Sequence, residues 1–216
     1  MQISWHGLGA FSITGKPVAG DVTLITDPFD NSVGLRLPKT LTASVVTSSM
    51  DSEVANNLGF IDGTEEKKKP FLVTHAGEFE VQGIFVTGIN APLKDKTPHT
   101  IYRYDLEGVS IANLGAMNRK LLEKEVAALG NIDVLILPVG GGVVYDEEEA
   151  SEAVNQIEPR LVIPSYYNVP GLKLNLKDVE LFCKELACVR EDSNKLKITK
   201  AGLPQDEVEV AVIGRT

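Results

Sequence analysis

Histidine carries most proton transfer near neutral pH and much metal ligation, and this chain of 216 residues has only three: His6, His75 and His99. None lies close enough to another in sequence to form a ligand pair. His6, in "SWHG" at the end of a strand, is read as a structural hydrogen-bonding residue, with a catalytic role as the alternative. His75, in "VTHAG", is read as an ordinary turn residue, and His99 as an exposed residue before a strand. Chemistry is denser in "SVVTSSMDSEVANN", Ser44 to Asn57. Asp51 and Glu53 would serve as general acid and base if their carboxylates converged. Ser48, Ser49 and Ser52 offer hydroxyls, but no Gly-x-Ser-x-Gly elbow or nearby base activates them. "PVGGG", Pro138 to Gly142, follows a strand but lacks the Lys-Ser/Thr of a phosphate-binding loop.

These residues sit at the ends of elements that the patterning makes visible. "MQISWHG", "AFSITG", "DVTLITDPF", "ASVVTSS" and "PFLVTHAG" read as short strands. "FEVQGIFVTGI" divides into two strands at Gly83, and "HTIYRYDLEGVSIANLG" is a hairpin turning at Glu107-Gly108. Helices follow in "NRKLLEKEVAALG", "YDEEEASEAVNQIEP" and "KDVELFCKELA", the second with acids in its first turn. Between and after them run "DVLILPVGG", "RLVIPSYY", "KLKITKAG" and "VEVAVIG". The uninterrupted apolar runs suit strands covered on both faces. A meander followed by alternating helix and strand predicts one α/β domain over residues 1–216, with helices outside two sheets.

Composition narrows the partners. Apolar residues make up 43% of the chain, enough for a large core, and the net charge is −9. An acidic surface repels phosphate backbones, so no nucleic-acid partner is expected. Lys67-Lys68-Lys69, after Glu65-Glu66, reads as a solvated loop. The two cysteines, Cys183 and Cys188, are too few for a disulfide framework or a zinc knuckle. They read as reduced thiols of a cytoplasmic protein. Neither a signal peptide nor a membrane-spanning segment is visible, so no membrane association is expected.

Seven segments together carry a resemblance. "ISWHGLGAFSI", "ITDPFDNSVGLRLPK", "VVTSSMDSEVANN", "GEFEVQGI", "ANLGAMNRKL", "DVLILPVGG" and "RLVIPSYYNVP" occur in the order found in the metallo-β-lactamase superfamily. The branch they resemble is that of small Zn-dependent hydrolase-like proteins related to L-ascorbate-6-phosphate lactonases. The resemblance implies a four-layer αββα sandwich with one or two metals between the sheets. It also implies a His-x-His-x-Asp-His loop at "MDSEVA". Met50 and Ser52 stand at the first two histidine positions of that loop, Val54 at the aspartate and Ala55 at the last histidine. Ala116 stands at the metal-bridging aspartate and Tyr166 at a further histidine ligand. In the family, the aspartate matched by Asp27 braces the ligand loop; here it would still cap the backbone of residues 48–57.

The expectation is a metallo-β-lactamase-fold protein without its metal ligands and without a cofactor. Its role would be ligand binding, scaffolding or regulation. Met50, Ser52, Asn56, Asn113, Met117 and Tyr166 would line a cleft edge that takes a small molecule or is filled by its own side chains. Self-association is the other expected partnership. The alternative is a hydrolase of small esters, lactones or phosphoesters with a relocated site drawn from His6, Asp51, Glu53 and Tyr166.

Overall fold

The computed structural model describes residues 1–65 and 68–216. In chain order, the first half supplies β1 (Gln2–Gly7), β2 (Ala10–Gly15), β3 (Val22–Thr26), β4 (Thr42–Ala43), β5 (Val45–Thr47), β6 (Asp62–Gly63) and β7 (Phe71–Val73). It continues with β8 (Gly77–Val81), β9 (Ile84–Asn90), β10 (Thr100–Leu106) and β11 (Val109–Asn113). The second half supplies α1 (Glu123–Leu129), β12 (Val134–Pro138), α2 (Glu147–Ile157), β13 (Leu161–Ser165) and α3 (Val179–Glu185). β14 (Cys188–Arg190), β15 (Lys195–Lys197) and β16 (Glu209–Val212) close the chain. One sheet has the order β15-β1-β2-β3-β5-β7, the other β14-β16-β13-β12-β11-β10-β9-β8, and β4 pairs with β6 in a small ribbon.

Alternation along the strands assigns their faces. In the six-stranded sheet Leu24 and Val45 point into the main core, while their neighbours Ile25 and Val46 join a separate cluster on the outer side. The two sheets are tied across the core by hydrogen bonds. The hydroxyls of Thr47 and Tyr104 lie 2.8 Å apart, and the Tyr102 hydroxyl donates to the carbonyls of Ser48 and Val73. β12 and β13 are buried along their whole length, as strands running parallel under helices must be. α2 turns Ala150, Ala153, Val154 and Ile157 toward the core. Its start is fixed by a capping box, in which Asp146 accepts from the Glu149 N–H and Glu149 accepts from that of Asp146.

Among the described residues the three α-helices lie in the second half of the chain, and the outer face of the six-stranded sheet is covered by shorter segments. Ile25, Ala43, Val46 and Ile61 pack there beneath a 3-10 turn, Leu58–Phe60. So short a segment carries too few periodic residues for a helix to be recognised in the sequence. Cys183 and Cys188 are joined by a disulfide, with Cα atoms 5.2 Å apart, rather than being free thiols. The chain reverses between the last turn of α3 and the edge strand β14, which brings the two together. His99 is buried rather than exposed. Of the basic run, Lys68 and Lys69 are exposed and pair with Glu65 and Asp62, whereas Glu66 and Lys67 lie outside the described residues. Among the described residues no helix is long and apolar enough to cross a membrane.

Candidate functional site

Five segments meet at one edge of the sandwich: the β1–β2 turn, the end of β3, the loop after β5, the end of β11 and the end of β13. Contacts fix the meeting. The Tyr166 N–H points to the Leu8 carbonyl at 3.4 Å, and the Asp27 N–H donates to the Thr47 carbonyl at 2.9 Å. Gly9 lies so close to its neighbours that a Cβ there would sit 2.8 Å from Asp27 Oδ2 and 2.9 Å from Tyr166 Cε2. Leu8, Asp27 and Tyr166 all adopt left-handed backbone, with φ of 47°, 40° and 50°. Such a conformation costs a side-chain-bearing residue of order 1–3 kcal/mol, so the surrounding packing must hold it in place.

Asp27 caps the loop after β5. Its Oδ1 accepts from the Ser49 N–H at 2.6 Å and its Oδ2 from the Ser49 hydroxyl at 3.0 Å. Burial pushes its carboxyl up to about 7, against the pull of those two hydrogen bonds. The loop is stitched further by Glu53 and Asn57. The Asp30 N–H donates to the Glu53 carbonyl and the Asn57 N–H to that of Pro28. On the other side, the Thr100 N–H donates to the Ser49 carbonyl at 2.8 Å.

His99 is the buried residue that the sequence did not reveal. Its Nε2 accepts from the Ala116 N–H at 3.2 Å, and its Nδ1 lies 3.2 Å from the Ala91 carbonyl, so Nδ1 is the protonated nitrogen. Burial lowers its pKa to about 4, leaving the imidazole neutral. A Cβ on Gly115 would lie 2.7 Å from both His99 Nε2 and Ser49 Oγ, so His99 is packed directly against the loop. The polar sequence around it, "KDKTPHT", concealed this. His6 faces elsewhere. Its Nε2 lies 2.6 Å from Ser12 Oγ and its Nδ1 2.5 Å from Thr216 Oγ1. Burial, then the Arg215 charge, lowers its pKa to about 4. His75 is exposed and meets the edge of Phe79.

The residues at the six positions that the resemblance matches to metal ligands divide by environment. Met50, Val54, Ala116 and Tyr166 belong to one apolar cluster with Leu8, Phe29, Leu35 and Val144. Ala55 is fully buried. The Tyr166 hydroxyl is buried without a hydrogen-bond partner among the described residues, and burial, then the nearby Asp27 charge, raises its pKa well above the usual phenol value. Two segments close over this cluster: one brings Val33, Leu35 and Leu37, the other Leu172, Leu174 and Leu176. Ser52 and Asn56 instead line an open cavity of about 270 Å³ together with Asp30, Asp51, Glu53 and Asn57. There the Asn56 side-chain amide donates to Asp51 at 2.6 Å. Asn113 is buried with its side-chain oxygen on the Gly115 N–H at 2.9 Å, and Met117 lies in the main core. The six cleft residues therefore do not share one surface.

A divalent metal needs several imidazole, carboxylate or thiolate donors within coordination distance. Among the described residues no group of three or more His, Cys, Asp or Glu is placed to hold one. Methionine, valine, alanine and an unpartnered phenol are the wrong chemistry for a hydrated dication. The side chains at these positions do not fit a dinuclear metal centre.

Two facing mixed sheets, with helices outside and loops gathered at one edge, are the metallo-β-lactamase fold. A crystal structure of a Zn-dependent hydrolase of that superfamily from Thermotoga maritima superposes with a TM-score of 0.76 over 98% of both chains, at 26% identity. The family model for the beta-lactamase superfamily domain matches residues 2–166, and the chain belongs to that superfamily. It is 26% identical over 200 residues to a metal-dependent hydrolase of Thermoplasma acidophilum, covering 78% of this chain and 84% of that one. A metallo hydrolase from Ignicoccus hospitalis shares the fold at 17% identity, with a TM-score of 0.65 over 98% of this chain and 94% of that one.

Proposed function

We propose that this chain is a non-catalytic member of its superfamily, without metal ligands, that acts through binding, scaffolding or regulation. The observation that carries the reading is the apolar filling of the cleft. Ala116 and Tyr166, at two positions that the resemblance matches to metal ligands, pack with Leu8, Phe29 and Leu35, and the Tyr166 hydroxyl has no hydrogen-bond partner among the described residues. A site that activated water would need donors and solvent where this one has hydrocarbon. Bracing by Asp27 persists and now holds Ser49 instead of a ligand loop. The test is metal analysis of protein purified without chelator, paired with a hydrolase screen. Substoichiometric metal and no activity are expected. About one Zn, Mn or Fe per chain, lost together with hydrolysis on chelation, overturns the reading.

A second reading has one observation in its favour: Asp51 and Glu53 share an open cavity with Ser52 and Asn56. In it the chain hydrolyses a small ester, lactone or phosphoester by carboxylate acid–base chemistry. His6 and Tyr166 take no part, because His6 is held by Ser12 and Thr216 and the Tyr166 hydroxyl is buried in the apolar cluster. Activity abolished in both Asp51→Asn and Glu53→Gln would establish it, and activity surviving both would remove it. If the role is self-association, light scattering reads the stoichiometry.

A further inference from the structure

The fold carries a second concave feature, on the outer side of the cover over the filled cleft. Asn31, Gly34, Arg36, Leu37, Lys39, Phe60 and Lys173 line a cavity of about 510 Å³. That volume lies within the roughly 300–1,000 Å³ that holds small-molecule ligands. Three of the lining side chains are cationic and none is acidic, in a chain whose net charge is −9. Arg36, Lys39 and Lys173 are exposed, and none makes an ion pair or a side-chain hydrogen bond with a described residue. Gathering like charges costs self-repulsion. No described contact in the fold offsets that cost at this cavity.

The walls are built rather than loose. Asp30 caps the 3-10 turn Asn31–Val33 by accepting from the Ser32 N–H at 2.8 Å. The Lys173 N–H donates to the Val33 carbonyl at 2.9 Å, joining the two segments that carry the cations. At Gly34 they touch so closely that a Cβ would lie 2.2 Å from the Gly171 carbonyl oxygen. Phe60, half-buried, contributes an apolar wall.

We infer that this cavity binds a small dianionic ligand of the phosphate-monoester type. The guanidinium of Arg36 would take two oxygens, Lys39 and Lys173 would supply point charges, and the organic part would lie against Phe60. A long polyanion does not suit the site, because the acidic surface beyond the cavity repels it. The inference does not depend on whether the filled cleft holds metal.

The experiment is a two-dimensional amide NMR titration of the full chain with inorganic phosphate and with glycerol 3-phosphate. Glycerol and sodium chloride at matched ionic strength are the controls. Saturable shifts at Asn31, Gly34, Arg36, Lys39 and Lys173 are expected with both phosphates and not with the controls. The double variant Arg36→Glu, Lys173→Glu should weaken binding at least about tenfold, because two charge-assisted bonds are lost and two like charges are introduced. Lys16→Glu, far from the cavity on a surface pair with Asp21, should bind as the parent does. Both substituted side chains are exposed, and an unchanged Tm and amide spectrum verify that the double variant is folded. Saturation by phosphate alone supports an anion site without an organic subsite and overturns the Phe60 assignment. No saturable shift, equal shifts with chloride, or undiminished binding by the double variant overturns the proposal.

Discussion

At Tyr166 the hydroxyl is buried with no hydrogen-bond partner among the described residues, and a buried unsatisfied hydroxyl costs roughly 1–3 kcal/mol. Tyr166→Phe is therefore expected to keep or raise the unfolding free energy, by up to about 3 kcal/mol; a loss of about 1 kcal/mol or more would mean that the hydroxyl has a partner. Three buried titratable groups set the pH profile. His6 and His99 have pKa values lowered to about 4 from 6.5, so between those values the unfolded chain binds more protons than the folded one. Their contribution to stability is present above pH 6.5 and is lost as pH falls through about 4, at about 3 kcal/mol each. Asp27, raised to about 7 from 3.8, acts in the opposite sense, and its contribution is lost as pH rises through about 7. Two groups outweigh one, so urea titrations should show stability climbing from about pH 4 to 6.5 and then dipping slightly to about 7. Asp27→Asn should steepen the climb and abolish the dip, and His99→Gln should leave the profile nearly level between about pH 4 and 6.5, because His6 and Asp27 then offset each other. A profile flat over this range would contradict the burial of both histidines. Little of this was legible in the sequence: motif order only suggested where the family's ligands would fall, and burial of His99 and Tyr166 depends on segments far away in the chain.

At the scale of elements, strands and helices were legible because their signals are local. Alternation marked β1 to β3, apolar runs marked β12 and β13, and the acids after Asp146 marked α2. β14 escaped notice because three residues cannot display a period, and so did the cover over the six-stranded sheet, which is a single 3-10 turn. The disulfide was missed for a related reason, since nothing in two cysteines five apart states that a helix end and an edge strand turn back on one another. Closing so short a loop is worth about 2 kcal/mol in the chain-entropy account. Reduction, or Cys183→Ser with Cys188→Ser, should lower stability by no more than about that amount. Hydrogen exchange should accelerate first in β14. Gly34→Ala should do more harm at a single site, by about 1–3 kcal/mol, because its φ of 92° and the Gly171 carbonyl oxygen leave no room for a methyl group.

For the whole molecule, the order of strands and the pairing of two sheets follow the superfamily. A ligand that binds only the folded state raises its melting temperature by mass action. Zinc or manganese added to this protein is expected to leave Tm unchanged, and a rise that saturates near one equivalent would restore a metal site. The packed edge also bears on attempts to rebuild an enzyme here. Histidines grafted at positions 50 and 166, with an aspartate at 116, would arrive in a compartment already occupied by leucine and phenylalanine side chains. Each new imidazole would be stranded from water and its neighbours displaced. A designer would have to excavate the overlying leucines of residues 33–37 and 172–176 before any grafted donor could reach an ion. Such a revival calls for two sets of changes, first the hollow and then its ligands.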